Sequence, residues 1–392
     1  MPSSDPSPAR LNRLLAFIEQ DAGNLTLRKD AVREACDIGH WDTAGKLIDA
    51  GLEAHPGEAG LLALAGFAHL QAQRYDEAER VLSAALSQGL DAAELHYNLA
   101  FAQFMQKRHA EAFDRLAPSV LQALPLALLL RARCLHHLGR PAEAIVDCKA
   151  HLALAPGDAD THGLLGLLLF EQGQGEAATA HIEAALSKNP KQLEAMLALA
   201  SRQADSQEYD AARDSFDTLL QAHPECGRAW LGLALIKVSH MQVEAAKRDI
   251  ELAATHMPDH VGTWHVLAWV HILLGDPPAA GRAFEQAMAP DRNFGETHGG
   301  LAVVAALQGR EVDARAGIKR SLRLDPQSMS AQYALMLLLQ RDGQHDEAQA
   351  LLDAFLARPV AHSDMQYRDL VTTHMKHVRM DAEQFAAPIV RH

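Results

Sequence analysis

The sequence predicts an all-α solenoid of about ten stacked antiparallel helix hairpins. The first observation is a period, because an alanine recurs every 34 residues, with one step of 32 residues from Ala112 to Ala144. The aligned positions are Ala44, Ala78, Ala112, Ala144, Ala178, Ala212, Ala246, Ala280, Ala314 and Ala348. A fixed period of about 20–50 residues is typical of proteins that stack one supersecondary unit on the next.

The second observation is a pair of columns in register with this alanine. Twelve residues before it, eight of the ten repeats carry a small residue: Gly66, Ala100, Ala132, Gly166, Ala200, Ala234, Ala268 and Ala302. Four residues after it the side chain is always apolar: Ile48, Leu82, Leu116, Cys148, Ile182, Phe216, Ile250, Phe284, Ile318 and Leu352. The small columns predict the close crossing of the first helix (helix A) with the second (helix B). The apolar column predicts burial between neighbouring hairpins.

The third observation is the placement of glycine and proline. Six repeats carry a glycine five residues before the alanine: Gly39, Gly139, Gly173, Gly275, Gly309 and Gly343. Six carry a proline twelve residues after it: Pro56, Pro156, Pro190, Pro224, Pro258 and Pro326. Glycine favours the left-handed conformation just past a helix end, so it predicts the end of helix A. Proline cannot continue a helix, so it predicts the end of helix B.

These columns resemble the tetratricopeptide repeat over residues 25–362, and Trp230 and Trp264 occupy the aromatic position of that family near the start of helix A. The resemblance implies a right-handed superhelix that binds other proteins and is not an enzyme. The large aromatic residue that the family carries in the middle of helix A is missing in this chain. The repeats are simple and rich in Ala and Leu, which suggests a bacterial source.

The two ends of the chain depart from the repeat. We expect residues 1–24 to form an N-terminal tail and a capping helix, whose apolar residues Leu11, Leu14, Leu15 and Ile18 share one side. Residues 25–362 hold the repeats. Residues 363–392 are expected to form a C-terminal capping helix, at 363–380, followed by a mobile tail. Atypical terminal units are the rule in solenoids, because each end must cover an apolar face.

Composition argues against several classes of partner. The 392 residues carry a formal net charge of −14, whereas nucleic-acid binding rests on clustered Lys and Arg. The most apolar stretch, Val120 to Leu130, is shorter than the roughly 18 residues of a membrane span. The N-terminus has no basic segment followed by an apolar one, and the four cysteines are scattered. We therefore expect a cytoplasmic protein with neither a nucleic-acid partner nor a membrane-inserted segment.

The resemblance implies that helix A lines a concave groove through its second, fifth, sixth, ninth, twelfth and thirteenth positions. The candidate groove residues are Phe67, Leu70, Tyr97, Asn98, Phe101, Phe104, Met105, Arg133, His136, His137, Phe170, Leu235, His265, Trp269 and Tyr333; Leu130, Leu164 and Leu167 occupy the same positions. Because exposed apolar patches mark interaction sites, this lining predicts binding of an amphipathic helix or an extended apolar segment. The alternative is that these side chains are buried between adjacent A helices or covered by the chain's own ends.

Catalytic and cofactor chemistry finds little support in the sequence. The chain has 22 histidines, and the closest groupings are His136 with His137, His260 with His265, and His374 with His377. Adjacent histidines on a helix point roughly 100° apart, and no carboxylate or third histidine lies at suitable spacing from His374 and His377. No Gly-x-Ser-x-Gly elbow and no phosphate-binding glycine loop occurs. Cys134 and Cys148 lie on the two helices of one hairpin, as buried small side chains or as a regulatory disulfide. We expect no metal, no cofactor and no catalytic residue.

The function hypothesis is therefore a scaffold or adaptor that holds a partner protein in an apolar groove; many members of the family act as co-chaperones or assembly factors. One alternative is a self-assembling structural protein, and another is a regulator of a partner enzyme. If the groove binds a partner, the double substitution Phe101→Glu, Phe104→Glu is expected to abolish binding and to leave helicity intact.

Overall fold

The computed structural model describes residues 7–358, together with Gln366 and Arg368, and 22 α-helices lie in that part of the chain. The predicted closing helix at 363–380 and the tail after it fall outside the continuous described segment. The chain divides into two compact units, Met1–Ala195 and Met196–His392.

The first unit begins with a single helix and continues as hairpins of an A and a B helix. Its helices are α1 (Pro8–Gln20), α2 (Leu25–Asp37), α3 (Trp41–Ala54), α4 (Ala59–Gln71), α5 (Tyr75–Ser87), α6 (Ala93–Met105), α7 (His109–Arg115), α8 (Pro118–Ala123), α9 (Ala127–His137), α10 (Pro141–Leu154), α11 (Ala159–Glu171) and α12 (Gly175–Lys188). Helix α13 (Leu193–Asp205) begins at the end of this unit.

The second unit holds the remainder of α13 and the hairpins that follow it. Its helices are α14 (Tyr209–Ala222), α15 (Gly227–Ser239), α16 (Val243–His256), α17 (Val261–Leu273), α18 (Pro277–Ala287), α19 (Gly295–Leu307), α20 (Glu311–Leu324), α21 (Met329–Arg341) and α22 (His345–Leu356). The described chain is thus all-α and contains ten hairpins, which confirms the solenoid predicted from the period.

The alanine column marks the same place in every hairpin. Each of the ten alanines is the fourth residue of a B helix, and each is buried. The column of small residues on helix A faces the B helix of the same hairpin at close range. A Cβ built on Gly66 of this column would lie 2.3 Å from the side chain of Leu82, so a larger residue does not fit there. Helix A and helix B therefore cross at the predicted small residues.

The turn from helix A to helix B uses one backbone conformation throughout. All six glycines of the column have a φ of +69° to +75°, and the other four repeats place Gln73, Lys107, Gln207 or Met241 at the same point with a φ of +56° to +61°. At the end of α9, Gly139 donates its N–H to the carbonyl of His136, and Arg140 donates to Leu135. These bonds satisfy carbonyls that the helix end leaves free.

The preference of this turn for glycine can be tested at Gly139, where an added Cβ meets no neighbouring atom. We expect Gly139→Ala to lower the free energy of unfolding by about 1 kcal/mol, because an L side chain disfavours the left-handed region. Gly45→Ala is the matched control: Gly45 lies inside α3 in open space, so alanine there is expected to raise stability by up to about 1 kcal/mol. Urea unfolding of both variants checks the prediction, which is wrong if the two shifts have the same sign.

In four repeats the turn from helix B to the next helix A is closed by a ring at the fourth residue of helix A. Trp230 donates its indole N–H to the carbonyl of Pro224 (2.9 Å), and Trp264 donates to that of Pro258 (2.7 Å). His162 and His298 direct Nε2 to the carbonyls of Pro156 and Arg292 in the same way. Since a carbonyl only accepts, Nε2 carries the proton in both histidines.

The third hairpin precedes the 32-residue step of the period and differs from the others in its B helix. Its B helix is interrupted: α7 ends at Arg115, and α8 starts at Pro118, whose ring cannot continue the preceding helix. The interruption leaves a cavity of about 490 Å³ lined in part by His96, Arg115 and Val120.

Helix α1 covers the first hairpin. Leu11 is buried, and Leu14, Leu15 and Ile18 pack against the core formed by α2 and α3. The carboxylate of Glu34, which is itself buried, accepts the backbone N–H of Ser7 (2.6 Å) and pairs with Arg10 (3.0 Å). These contacts fix the start of α1 on the apolar face that the first hairpin would otherwise expose.

Candidate functional site

The fifteen candidate groove residues all lie on A helices, but they differ in exposure. Three of them present large apolar side chains to solvent: Met105 is 42% exposed, Leu235 47% and Tyr333 36%. Phe67, Tyr97, Asn98, Phe101, Phe104, Arg133, His136, Phe170, His265 and Trp269 are half-buried, and His137 is exposed. The groove positions therefore combine packing with exposure.

Leu70 does not belong to an open surface. It is buried in the core of the second and third hairpins with Leu82, Leu95 and Leu99. Leu130, Leu164 and Leu167, at equivalent positions, are also buried. For these four leucines the alternative interpretation holds, because their side chains fill the space between neighbouring helices and are unavailable to a partner.

The first unit gathers a group of rings and one thioether, here called the first patch: Tyr97, Phe101, Phe104, Met105, His109 and His137. Phe104 lies 5.1 Å from the ring of His109 and 5.6 Å from that of His137, and the two imidazoles stack at 4.2 Å. Tyr97, Phe101 and Phe104 pack with one side against the core of the third and fourth hairpins. One side of the patch therefore packs on the core, and the other is exposed to solvent at Met105 and His137.

His109 belongs to the first patch although the groove positions did not include it. It is the first residue of the B helix α7, and its ring meets the following A helix. Tyr75 and Tyr209 open their B helices in the same way and contact Phe101 and His240. The signal in the sequence is a ring three residues before the alanine column. Burial, helped by Lys107, lowers the pKa of His109, so the patch favours an uncharged imidazole there.

Two polar residues of the predicted groove are already engaged. Arg133 pairs with Glu194 (3.1 Å), and His136 lies 2.8 Å from the carboxylate of Glu171. An arginine held by a glutamate in the same face cannot serve as a free cation for a partner's carboxylate or phosphate. The open part of this face is therefore the first patch.

The second unit has its own aromatic group, here called the second patch: His265, Trp269, Phe284, Phe294 and Tyr333. The ring of Trp269 lies 5.8 Å from that of Tyr333 and meets Phe284 edge-on at 6.3 Å. His265 packs edge-on against Phe284 and directs Nε2 to the hydroxyl of Thr297 at 2.7 Å. Phe284 is fully buried and holds the more exposed rings in place.

Two glycines of the second unit were missed because they lie outside the repeat columns. A Cβ on Gly232 would lie 2.3 Å from the ring of Phe216, and one on Gly300 would lie 2.3 Å from that of Phe284. Phenylalanine occurs in the apolar column only in these two repeats, and a glycine follows it after sixteen residues in both. The paired occurrence is the signal: the large ring needs a helix A without a side chain above it.

The second patch carries a titratable group whose protonation opposes folding. Burial lowers the pKa of His265 below its ordinary 6.5, although Glu296 acts in the opposite direction. The stability gained from the neutral ring is therefore fully present above about pH 6.5 and is lost as the pH falls through the lower pKa of the folded protein. We expect His265→Gln to lose less stability than wild type between about pH 7.5 and about pH 5.5.

Urea unfolding at the two pH values measures this difference. His40→Gln, at an exposed position, is the matched control and is expected to follow wild type. An equal loss in wild type and His265→Gln would show that His265 does not contribute to the pH dependence.

Metal and thiol chemistry adds nothing to these patches. Within residues 7–358, no three His, Cys, Asp or Glu side chains come together in a group that could hold a metal ion. Cys134 and Cys148 are free and buried, and burial raises the pKa of each thiol to about 12. Both therefore stay protonated and unreactive near neutral pH, as expected of small buried side chains.

In the described part of the chain, no helix combines the length and apolarity that crossing a membrane requires.

Solved structures share the fold of this chain at low sequence identity. The human IFIT1 dimer with PPP-AAAA matches with a TM-score of 0.55 at 16% identity, over 98% of this chain and 96% of that one. The APC/C hetero-tetramer Cut9–Hcn1 matches with a TM-score of 0.54 at 16% identity, over 88% of this chain and 82% of that one. A tetratricopeptide repeat protein from Parabacteroides merdae is 20% identical over 63% of this chain and 98% of its own length, with a TM-score of 0.48. No curated protein matches.

Family models of the tetratricopeptide repeat match most of the repeat region. They cover residues 63–125, residues 135–202 and 169–236, and residues 261–286 and 329–354, which together make up more than half of the chain. The matches fall on the hairpins whose small, apolar, glycine and proline columns were derived above. The chain belongs to the tetratricopeptide repeat family.

Proposed function

We propose that this chain is a scaffold that holds an apolar segment of a partner protein against the first patch. Its repeats support a role in protein interaction. The observation that carries the proposal is the exposure of Met105 beside half-buried Phe101 and Phe104 on α6. Aromatic residues and methionine are enriched at the centres of protein interfaces, and the flexible thioether adapts to its partner.

The partner we propose is an amphipathic helix or an extended apolar strand. The A helices α4, α6 and α17 carry almost no charged residues, so their faces offer dispersion and burial of apolar surface more than ion pairing. Rings that are anchored from below lose little freedom on binding, which favours affinity.

A nucleic-acid partner is the contrasting possibility, because the solved IFIT1 structure contains PPP-AAAA. Phosphate binding requires free Lys and Arg. On the A helices, Arg133 pairs with Glu194 and Lys237 pairs with Asp249, so these cations are neutralised within the protein. The net charge of −14 acts in the same direction. These features support a protein partner.

Cys36, Cys134 and Cys148 are buried free thiols, which supports work in a reducing compartment such as the cytoplasm. The family and the apolar character of the patches support a binding role without catalysis. The adaptor proposal therefore rests on one surface, and a substitution in that surface tests it.

We expect Met105→Glu to weaken binding of an apolar peptide by at least about tenfold, because a buried, unpaired carboxylate is costly in an interface. The measurement starts from a phage-displayed library of peptides of roughly 16 residues, long enough for about four helical turns. Peptides enriched by wild type are expected to space apolar residues three and four apart. Their affinities are then compared by fluorescence anisotropy.

The matched control is Val146→Glu, since Val146 is 64% exposed on the B helix α10 of the same unit. This variant is expected to bind as wild type does. Unchanged binding by Met105→Glu would contradict the proposal. Concentration-dependent self-association that Met105→Glu abolishes in light scattering would replace it by self-assembly.

The substitutions Phe101→Glu and Phe104→Glu are less suitable probes than the sequence suggested. Both rings pack against the core of the third and fourth hairpins, so a carboxylate at either site would disturb folding as well as binding. Met105 is exposed and separates the two effects.

A further inference from the structure

A pocket of about 300 Å³ lies in the second unit, among α13, α14 and α15. Its volume lies at the lower end of the range of about 300–1,000 Å³ that small ligands occupy, which suits a single long side chain. The pocket does not overlap either patch, although one of its polar residues, Tyr209, also contacts the ring of His240.

The inner part of the pocket is apolar. The ring of Phe216 forms its floor because Gly232 has no side chain to cover it. Leu235, 47% exposed, forms one wall, and the buried Ile236 lies beside it. An aliphatic stem that enters here would bury its methylene groups against these side chains.

The mouth of the pocket is polar and holds one carboxylate. Asp205, at the C-terminal end of α13, lies there with Ser201, Tyr209 and Ser239. The pKa of Asp205 is raised because part of its water shell is removed, and no cation compensates for that loss. Among the described residues no hydrogen bond or ion pair to Asp205 is found, and the nearby Lys237 is held by Asp249.

We propose that this pocket receives an arginine side chain of a partner protein, with the stem on Phe216 and Leu235 and the guanidinium at Asp205. The inference rests on the proposed function, and it adds a charged anchor at a second point of the scaffold. Arginine fits both halves of the pocket, because it buries its methylene stem while keeping its head hydrated. Its five N–H donors can serve a carboxylate and neighbouring hydroxyls together.

Overall charge points to the same occupant. A chain with a net charge of −14 attracts basic segments and repels acidic ones. Asp205 is exposed in the free protein, and a neutral side chain in the pocket would remove water from its carboxylate without giving it a partner, which costs free energy. A cation removes that cost, and this asymmetry would make the pocket selective.

The test uses the full chain and two probes of matched shape, butylguanidinium and the neutral butylurea. Binding is followed by saturation-transfer difference NMR of the probe methylene signals. We expect wild type to bind butylguanidinium with a dissociation constant on the order of 1 mM, as a ligand of this size allows, and butylurea at least about tenfold more weakly. Asp205→Asn is expected to remove most of this preference.

Asp217→Asn is the matched control, because Asp217 is an exposed carboxylate on α14 that does not line the pocket. This variant should keep the wild-type preference, and circular dichroism should show all three proteins equally helical. Equal binding of the two probes by wild type, or an unchanged preference in Asp205→Asn, would overturn the proposal.

The peptides selected by display separate this inference from the proposed function. An arginine in the enriched peptides, whose replacement by norleucine weakens binding to wild type but not to Asp205→Asn, would support the pocket. Peptides that depend on Met105, found together with an unchanged probe preference in Asp205→Asn, would leave the adaptor function standing and overturn the arginine pocket.

Discussion

Replacing Arg131 by methionine is expected to lower the free energy of unfolding by about 3–5 kcal/mol, the cost of leaving a buried charge without its partner. Arg131 on α9 binds both oxygens of Asp147 on α10, with distances of 2.7 Å from Nε and 2.6 Å from Nη2. Asp147 is only 3% exposed. The pair therefore joins the two helices of the fourth hairpin where water cannot replace the guanidinium.

The double variant Arg131→Met, Asp147→Leu distinguishes the cost of the orphaned carboxylate from the value of the pair. Apolar side chains of similar volume can replace a buried ion pair with little loss, so we expect the double variant to recover most of the stability. Urea unfolding of wild type, both single variants and the double variant gives the coupling energy.

Arg33→Met is the matched control for this cycle. Arg33 pairs with Asp30 three residues earlier on the same helix, and both side chains are exposed. Exposed pairs of this kind contribute little, so no resolvable change is expected. A loss for Arg131→Met no larger than that for Arg33→Met would show that Asp147 remains hydrated in the folded protein.

The repeat was readable from the sequence because its determinants are steric. Wherever two helices cross, only a small side chain fits, and Ala78 or Gly166 can be recognised with no knowledge of the partner helix. The glycine column was equally clear, although four repeats realise the same turn with Gln73, Lys107, Gln207 and Met241. Neighbouring structure can impose a left-handed residue at a modest cost, and such positions leave no mark in the composition.

The surface was harder to predict than the fold, because each A helix is apolar on most of its circumference. In α4 and α11 the residues that face the adjacent hairpins are as hydrophobic as those that would face a groove. Periodicity then cannot separate the two faces, which is why Leu70 and Leu164 were assigned to the groove although both are buried. Whether an apolar side chain of helix A is exposed depends on the position of the neighbouring helices, which the sequence pattern does not give.

The ion pairs between residues far apart in the sequence could not be predicted from it either. Arg131 reaches a residue 16 positions away, Lys237 one 12 positions away, and Arg133 one 61 positions away. The two residues of these pairs are separated by no fixed number of positions. Each pair forms only where a turn of helix A brings the basic side chain next to the carboxylate. The repeat fixes the backbone, and individual substitutions fix the polar contacts.

Substituting alanine for Gly300 is expected to lower the free energy of unfolding by about 2 kcal/mol, even though alanine favours a helix over glycine by about 1 kcal/mol. The added Cβ would stand 2.3 Å from two atoms of the Phe284 ring, which is fully buried and has no room to retreat. Overpacking of this kind forces the ring off its preferred rotamer or moves α19 outward. Because Phe284 supports His265 and Trp269, the second patch would be displaced as well.

The variant Phe284→Leu supplies the internal check. Leucine is shorter than phenylalanine, so the double variant Gly300→Ala, Phe284→Leu should be less destabilised than the sum of the two single variants. The control is Gly281→Ala on α18, where the new Cβ would meet only Val304 at an ordinary 3.5 Å and alanine should raise stability by up to about 1 kcal/mol. If Gly300→Ala instead stabilises the protein as Gly281→Ala does, helix preference outweighs the steric demand of Phe284. The pairing of phenylalanine with a glycine sixteen residues later would then have another cause.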